Sequence, residues 1–471
     1  MKRELYLAGL LLLLTPGALA CDGQQDNMAG MKMQAPAETP APAEKSPVPD
    51  LLGAAKAAPA MKLEEFENMA LKSNPTLSQA QAVARTSASL ARQAGLWPNP
   101  AVGYQGEQIR GGSFHGGEQG GFVQQSIVLG GKLHLRQQVY EQQHKVDETD
   151  VEAQRLNVAG AVRVLFYTAL AQLRTVEIRG QLLRVATDAT ATAHQLANVG
   201  QADAPDVLQA EVEAEQAQLS YAAAQRQYLQ AFRQLAAVAG NPDMPLALLE
   251  GDLEKTPEVD ADHLLQTLVE QSPSVKRAQL QLDRDEAVLK RNQREAVPDL
   301  ELRAGEQQNF EELPGIPKAV GAQSFATATV QLPLFNRNQG NVAAAKAELE
   351  RDQQEVVRIK LALTQAAQPL LQQYLTSKLA AERYRTQMIP RAQRAYELYL
   401  QKYQAMAAAY PEVIIAQRTL FELQESYVRS LGELWTSAVE LQNYLLADGL
   451  AAPAAASGAE INLPISTVGA E

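Results

Sequence analysis

Carboxylates at the ends of two expected helical hairpins are the residues of this 471-residue chain whose type and spacing point to chemistry. Asp203 and Asp206 flank the turn that begins at Gly200 and carries Pro205, and Glu412 holds the matching place after Tyr410 and Pro411. If several copies surround one axis, such carboxylates recur as rings that focus the field and favour cations. The same positions open helices, where a carboxylate near free amides contributes about 1 kcal/mol, and the two roles are compatible. Met28, Met31 and Met33 form a second cluster, whose thioethers suit soft ions such as Cu(I) or Ag(I). A flexible linker that happens to contain methionine is the plainer reading. His115 stands in a glycine-rich stretch and reads as a solvated loop residue, while Glu107 and Glu306 precede corresponding loops and read as rim charges.

Composition excludes several classes. The formal charge of −12 argues against a nucleic-acid binder, which needs a cationic face. Aromatic residues are 5 % of the chain, which favours narrow helix–helix seams over a thick core. One cysteine excludes an intramolecular disulfide or a Cys-cluster metal site, and five scattered histidines offer no zinc pair. No nucleophile–base pair, phosphate loop or cofactor signature is present, so neither an enzyme nor a cofactor is expected.

The elements that position the carboxylates follow an address. Lys2 and Arg3, the apolar run Leu5 to Leu14, and Ala18-Leu19-Ala20 make an export signal over residues 1–20. Cys21 follows directly, where a lipoprotein signal places its lipidated residue, and ordinary cleavage would leave it a plain N-terminal cysteine. Residues 21–60 read as a disordered leader and residues 450–471 as a flexible tail. No later apolar run has the length of a membrane helix, so a membrane crossing would need β-strands closed into a barrel.

Between leader and tail the chain is used twice, over 61–252 and 253–449, at an offset of about 200 residues. One copy opens at Asn74-Pro75 and the other at Ser272-Pro273, each a capping residue followed by proline. Strands are expected over Ala101 to Gln108 and Gly120 to Leu129, then over Leu300 to Glu306 and Phe325 to Leu334. The last alternates, with Ala326, Ala328, Val330 and Leu332 on one face. With no proline between Pro100 and Pro205, a helix from about Lys132 to Ala197 would extend roughly 100 Å. It reverses at Gly200 to Asp206 and returns to Ala239. The second copy turns near Ala407 to Pro411 and returns from Glu412 to Leu446, with Leu420, Leu423, Tyr427, Leu431 and Leu434 as a packing seam.

Four strands cannot close a membrane barrel, for which about eight is the small end, so three chains giving four each would make twelve. The chain here resembles the TolC-type outer-membrane factors, the outer membrane efflux protein family. The resemblance rests on Asn74-Pro75, Gln93 to Pro100, the turn Gly200 to Pro205 with Asp206 to Ala210, Leu332 to Gly340, and Ile389 to Ala392. Within that family, Gln93 to Pro100 and Pro333 to Gly340 look like the heavy-metal, CzcC- and CusC-like branch. The resemblance implies a mainly α chain with a small β part. It also implies a homotrimer with a 12-stranded barrel in the outer-membrane lipid and a periplasmic α-barrel of coiled-coil hairpins.

It further implies that the tips meet a periplasmic adaptor and an RND-type inner-membrane transporter. Adaptor contact falls on Gly200, Asp203, Pro205, Asp206, Tyr410, Pro411 and Glu412. The second tip departs from the family pattern, with Ala407-Ala408-Ala409-Tyr410 where a glycine is usual. The expected function is a passive export duct for heavy-metal cations. The same duct serving drugs, solvents or a secreted polypeptide remains open, as does a periplasmic coiled-coil scaffold without a pore.

Overall fold

Two helix starts, after Asn74 and Ser272, follow the cap chemistry. The computed structural model describes residues 51–53, 55–57, 59–109, 117–200, 202–312, 318–405, 407 and 410–453. The export signal, Cys21, Met28, Met31, Met33, His115 and residues 454–471 lie outside the described residues. After a short parallel strand β1 (Met61–Lys62), α1 runs Leu63–Ser73 and α2 runs Pro75–Ala94. Asn74 joins the two helices, and its Oδ1 accepts from the Thr76 N–H at 3.0 Å. Strands β2 (Ala101–Glu107) and β3 (Glu118–Ile127) follow, then α3 (Lys132–Asn198) and α4 (Ala204–Val238).

The second half repeats the plan after β4 (Leu249–Glu250), which pairs in parallel with β1. Its elements are α5 (Ala261–Gln271), α6 (Pro273–Arg294), β5 (Leu300–Glu312), β6 (Ala319–Val330) and α7 (Gln339–Arg383). Ser272 caps α6 by accepting from the Ser274 N–H at 3.2 Å. A π turn at Tyr384–Met388 leads into α8 (Ile389–Gln404), and α9 (Tyr410–Gln442) returns.

Four features differ from the sequence expectation. Residues 51–57, assigned to the leader, contribute Leu52 and Ala55 to the core, and the Leu51 N–H donates to Gln225 Oε1 at 3.3 Å. β5 extends to Glu312, whereas β6 stops at Val330, so Leu332 lies beyond the strand. Pro333 close by has no N–H to continue a ladder. The pair β1–β4 was not expected. The second long helix is interrupted: the Ile389 N–H reaches back to the Tyr384 carbonyl, a widened turn that makes room for the Pro390 ring, which would otherwise strike the carbonyl one turn before it.

The helical seams are narrow because their residues are small and regularly spaced. Ala210, Ala217, Ala224 and Ala231 of α4 are all buried and recur every seven residues, as do Ala186 and Ala193 of α3. That period keeps one face turned to a partner helix. Where α1, α3, α4 and α9 converge the seam thickens around Phe66, Phe166, Tyr228 and Phe232. Phe66 lies edge-on to Phe232, with ring centroids 6.2 Å apart. A second cluster joins α5, α7 and α9 through Leu268, Tyr374, Leu434 and Leu441. β2, β3, β5 and β6 form one antiparallel sheet in that order, so β2 and β6 are its two edges.

Candidate functional site

The first tip is built from one glycine and one cap. α3 ends with the Gly200 N–H donating to the Ala197 carbonyl at 3.0 Å, and Gly200 adopts φ +75°, a left-handed turn that L side chains resist. Asp203 is the N-cap residue of α4, yet its carboxylate makes no capping hydrogen bond and is exposed. Pro205 and Asp206 lie within the first turn of α4, and Asp206 is half-buried. At the second tip, Tyr410 starts α9, and Pro411 and Glu412 follow on its exposed first turn.

The two tips are brought together. Tyr410 packs on Tyr403, with ring centroids 5.4 Å apart. Burial pushes the Tyr410 phenol up to about 12, aided by Tyr403 and by the negative fields of Glu213 and Asp206 from the first hairpin. Burial and Asp206 act on Tyr403 in the same direction. Two ion pairs tie α9 to the first hairpin. Arg418 forks onto Glu213 of α4, with Nε 3.2 Å from Oε2, and Arg179 of α3 grips Glu425. Burial raises the Glu425 pKa, against the opposing pull of Arg179. Between these pairs lies a cavity of about 320 Å³, bounded by Tyr410, Ile414 and Phe421 on the α9 side and Ala186 and Ala217 on the other. The cross-hairpin ion pairs were missed in the sequence, because Glu213 and Arg418 stand far apart along it and carry no local signature.

The sheet has two chemically different faces. Register places Val102, Val123, Ala304 and Ala326 side by side, with Leu302 and Ala328 on the same face. Val102 is 79 % exposed there. The opposite face carries Gln105, Glu107, Glu118, Gln124, Glu301, Arg303 and Gln307. On it the Arg303 guanidinium sits 3.8 Å from the centroid of Phe122 and 5.7 Å from that of Phe325. A Cβ at Gly103 would lie 2.5 Å from the Phe122 ring, so the absence of a side chain there makes room for the stack. Glu118 accepts from Asn309 Nδ2 at 2.9 Å. Glu107 is on this polar face, whereas Glu306 is on the apolar one, level with Gly121 and Ser324. The two glutamates expected to match as rim charges therefore face opposite ways.

Elsewhere, Asp285 of α6 and Asp352 of α7 are buried carboxylates facing one another, each gripped by the arginine before it, at 2.7 Å from Arg284 and 2.6 Å from Arg351. Burial first, and then the Asp352 carboxylate, raises the Asp285 pKa to about 6, with Arg284 opposing. Burial acts on Asp352 as well, but hydrogen bonds from Arg351 and Asp285 outweigh it and leave its pKa lowered. Among the described residues no group of three His, Cys, Asp or Glu is arranged to hold a metal ion. What the geometry offers is a two-faced sheet and two helical hairpins tied to each other by ion pairs set back from their tips.

Comparison with known proteins agrees with this geometry. Residues 67–241 match the family described as outer membrane efflux protein. The cobalt-zinc-cadmium resistance protein CzcC of Cupriavidus metallidurans is 26 % identical over 390 residues, covering 83 % of this chain and 91 % of that protein. The nickel-cobalt-cadmium resistance protein NccC of Alcaligenes xylosoxydans xylosoxydans is 23 % identical over 312 residues, 66 % of this chain and 69 % of the relative. Among solved structures, CusC superposes with a TM-score of 0.68 at 16 % identity, over 81 % of this chain and 91 % of CusC. The Vibrio cholerae outer membrane protein VceC gives 0.66 at 16 % identity, over 83 % and 97 %. Residues 67–241 thus carry the likeness to the outer membrane efflux proteins, and the chain shares the fold of the outer-membrane channels CusC and VceC.

Proposed function

We propose that the chain is the outer-membrane duct of a tripartite efflux system that exports heavy-metal cations. The observation that carries the duct is the four-stranded sheet whose edges β2 and β6 pair with no further strand among the described residues, with Val102, Val123, Ala304 and Ala326 on one face and Gln105, Gln124, Glu301 and Arg303 on the other. Unpaired edges of this kind are completed by further strands, and three copies supply twelve with the apolar face to lipid and the polar face to water. The cargo class rests on the likeness to CzcC and NccC. A passive duct needs no reacting group: the partner pump supplies energy, and the chain supplies a continuous wet path.

In this reading residues 61–252 and 253–449 are two copies of one structural unit, and Cys21 carries a lipid anchor in the outer membrane. Gly200, Asp203, Pro205, Asp206, Tyr410, Pro411 and Glu412 form the periplasmic mouth, where a periplasmic adaptor and an inner-membrane transporter dock. The free carboxylate of Asp203 supports a cation-attracting role there, because it is not engaged in capping.

The test is growth of a deletion strain against its complemented parent on Cu, Ag, Zn, Co, Cd and Ni salts and on hydrophobic drugs. Hypersensitivity confined to metals is expected, and the ions affected name the cargo. Sensitivity to drugs alone would keep the duct and overturn the metal assignment. The protein should also migrate as a heat-modifiable trimer in the outer-membrane fraction, and a soluble monomer would defeat the channel.

A further inference from the structure

The apolar face of the sheet is too short for a bilayer. Its unbroken apolar part runs from Leu300 to Ala304, with Gln125 beside Leu302; the next outward positions are Glu306 and Gln308, level with Ser324 and Gln119, and Ala322 and Val320 lie beyond that polar stretch. Leu300 to Glu306 advances about 20 Å along the strand, or about 15 Å of height at an ordinary barrel tilt. Outer-membrane barrels present an apolar band of about 25 Å. At the top the band meets Tyr104, an exposed aromatic whose hydroxyl donates to Gln119 Oε1 at 2.6 Å, as residues at a water boundary do.

At the other end no charged outward position intervenes, and the apolar surface continues. Just before β2 and just after β6 stand Leu96, Trp97, Leu332, Leu334 and Phe335, all well exposed, with Phe335 at 91 %. Both segments leave the same end of the sheet, since Ala101 starts β2 and Val330 ends β6 beside Leu300. They are irregular, which in lipid would strand backbone N–H groups. Pro98, Pro100 and Pro333 remove three of those donors, the Leu334 N–H is held by the Leu332 carbonyl at 2.9 Å, and the Pro98 carbonyl accepts from Gln125 Nε2 at 2.9 Å. Directly after Phe335 the chain turns polar, with Asn336-Arg337-Asn338.

We propose that this collar below the sheet is a lipid-contact surface, immersed in the periplasmic leaflet of the outer membrane, with Trp97 and Phe335 in acyl chains and Arg337 at the headgroups. The inference rests on the outer-membrane reading above, and it places the membrane boundary beneath the last strand residue rather than at it.

Trp97 reports on this directly, because the chain has two tryptophans and the other, Trp435, is stacked on Tyr167 in the helical region at a centroid distance of 3.6 Å. The full-length protein is reconstituted in phosphatidylcholine vesicles with and without brominated acyl chains, beside a Trp97→Phe variant. Co-flotation with vesicles is scored first. The expected result is bromine quenching in the parent that Trp97→Phe abolishes. Emission that floats with the vesicles yet is quenched only by aqueous iodide would place Trp97 in water and overturn the collar while leaving the channel intact. Blue-shifted emission quenched by neither would mean that a neighbouring copy covers Trp97, which also overturns it. Failure to float would defeat the outer-membrane reading itself.

Discussion

Asn74 shows how much one side chain can hold. It caps α2 through Oδ1, and its Nδ2 donates to the carbonyls of Val238 and Gly449, each at 3.0 Å. Asn74→Ala takes the partner from the Thr76 N–H and the Val238 carbonyl and leaves the Gly449 carbonyl only the Thr76 hydroxyl at 3.5 Å, and a loss of about 2–3 kcal/mol in chemical unfolding is expected. The Asp285–Asp352 pair makes a pH-dependent contribution. Folded Asp285 keeps its proton up to about pH 6, whereas an ordinary aspartate releases it near 3.8. The folded state therefore binds more protons between those values, so this contribution is complete below 3.8 and is lost as pH rises through about 6. Asp352, with its pKa lowered, works in the opposite sense only at more acid pH. Asp285→Asn should raise the Tm at pH 7.5 and flatten its rise on acidification to pH 5, and an unchanged pH profile would contradict the shared proton. The Asn74 cap is legible in the sequence from the proline that follows it, but the aspartate pair is not, because a carboxylate pair is a property of two helices meeting and neither aspartate is unusual in its own segment.

At the scale of elements more is legible in the sequence. Lys132 to about Ala197 was expected as one helix because proline is absent there, and it ends at Asn198 before Gly200 supplies the reversal. Gly200→Ala should cost about 1 kcal/mol in thermal unfolding through backbone strain alone, since no atom lies within 4 Å of the added Cβ. The strand faces were legible from alternation, but the stack of Arg303 on Phe122 and Phe325 was not, since it depends on the register of three strands. The π turn was missed as well. Pro390 signals a break, yet only packing decides whether a helix ends there or widens and continues. The ties between hairpins belong to this scale too. Arg418→Ala frees α9 from α4, and a higher single-channel conductance in planar bilayers is expected. An unchanged value would show that the pair does not restrain the mouth.

For the whole molecule, the two faces of the sheet meet different solvents. Val102→Arg places a charge on the apolar face one row inside the Tyr104 boundary and should cost about 1–2 kcal/mol if that face meets lipid, seen as lost heat-modifiable trimer in the outer membrane. Thr329→Arg, on the polar face opposite Glu301, should leave trimer yield near the parent's. The sheet also carries a consequence for the order of events in the cell. β3 pairs along its length with β5, Ile127 opposite Leu300 and Glu118 opposite Asn309, and Asn74 awaits the carbonyl of Gly449. Translocated from its N-terminus, the chain presents a finished hairpin with an open edge long before its cognate strand has crossed the inner membrane. Biogenesis therefore contains an enforced wait, during which a holding chaperone or a sister chain competes for that edge, and slowing secretion of the second half should favour mispaired oligomers over trimers.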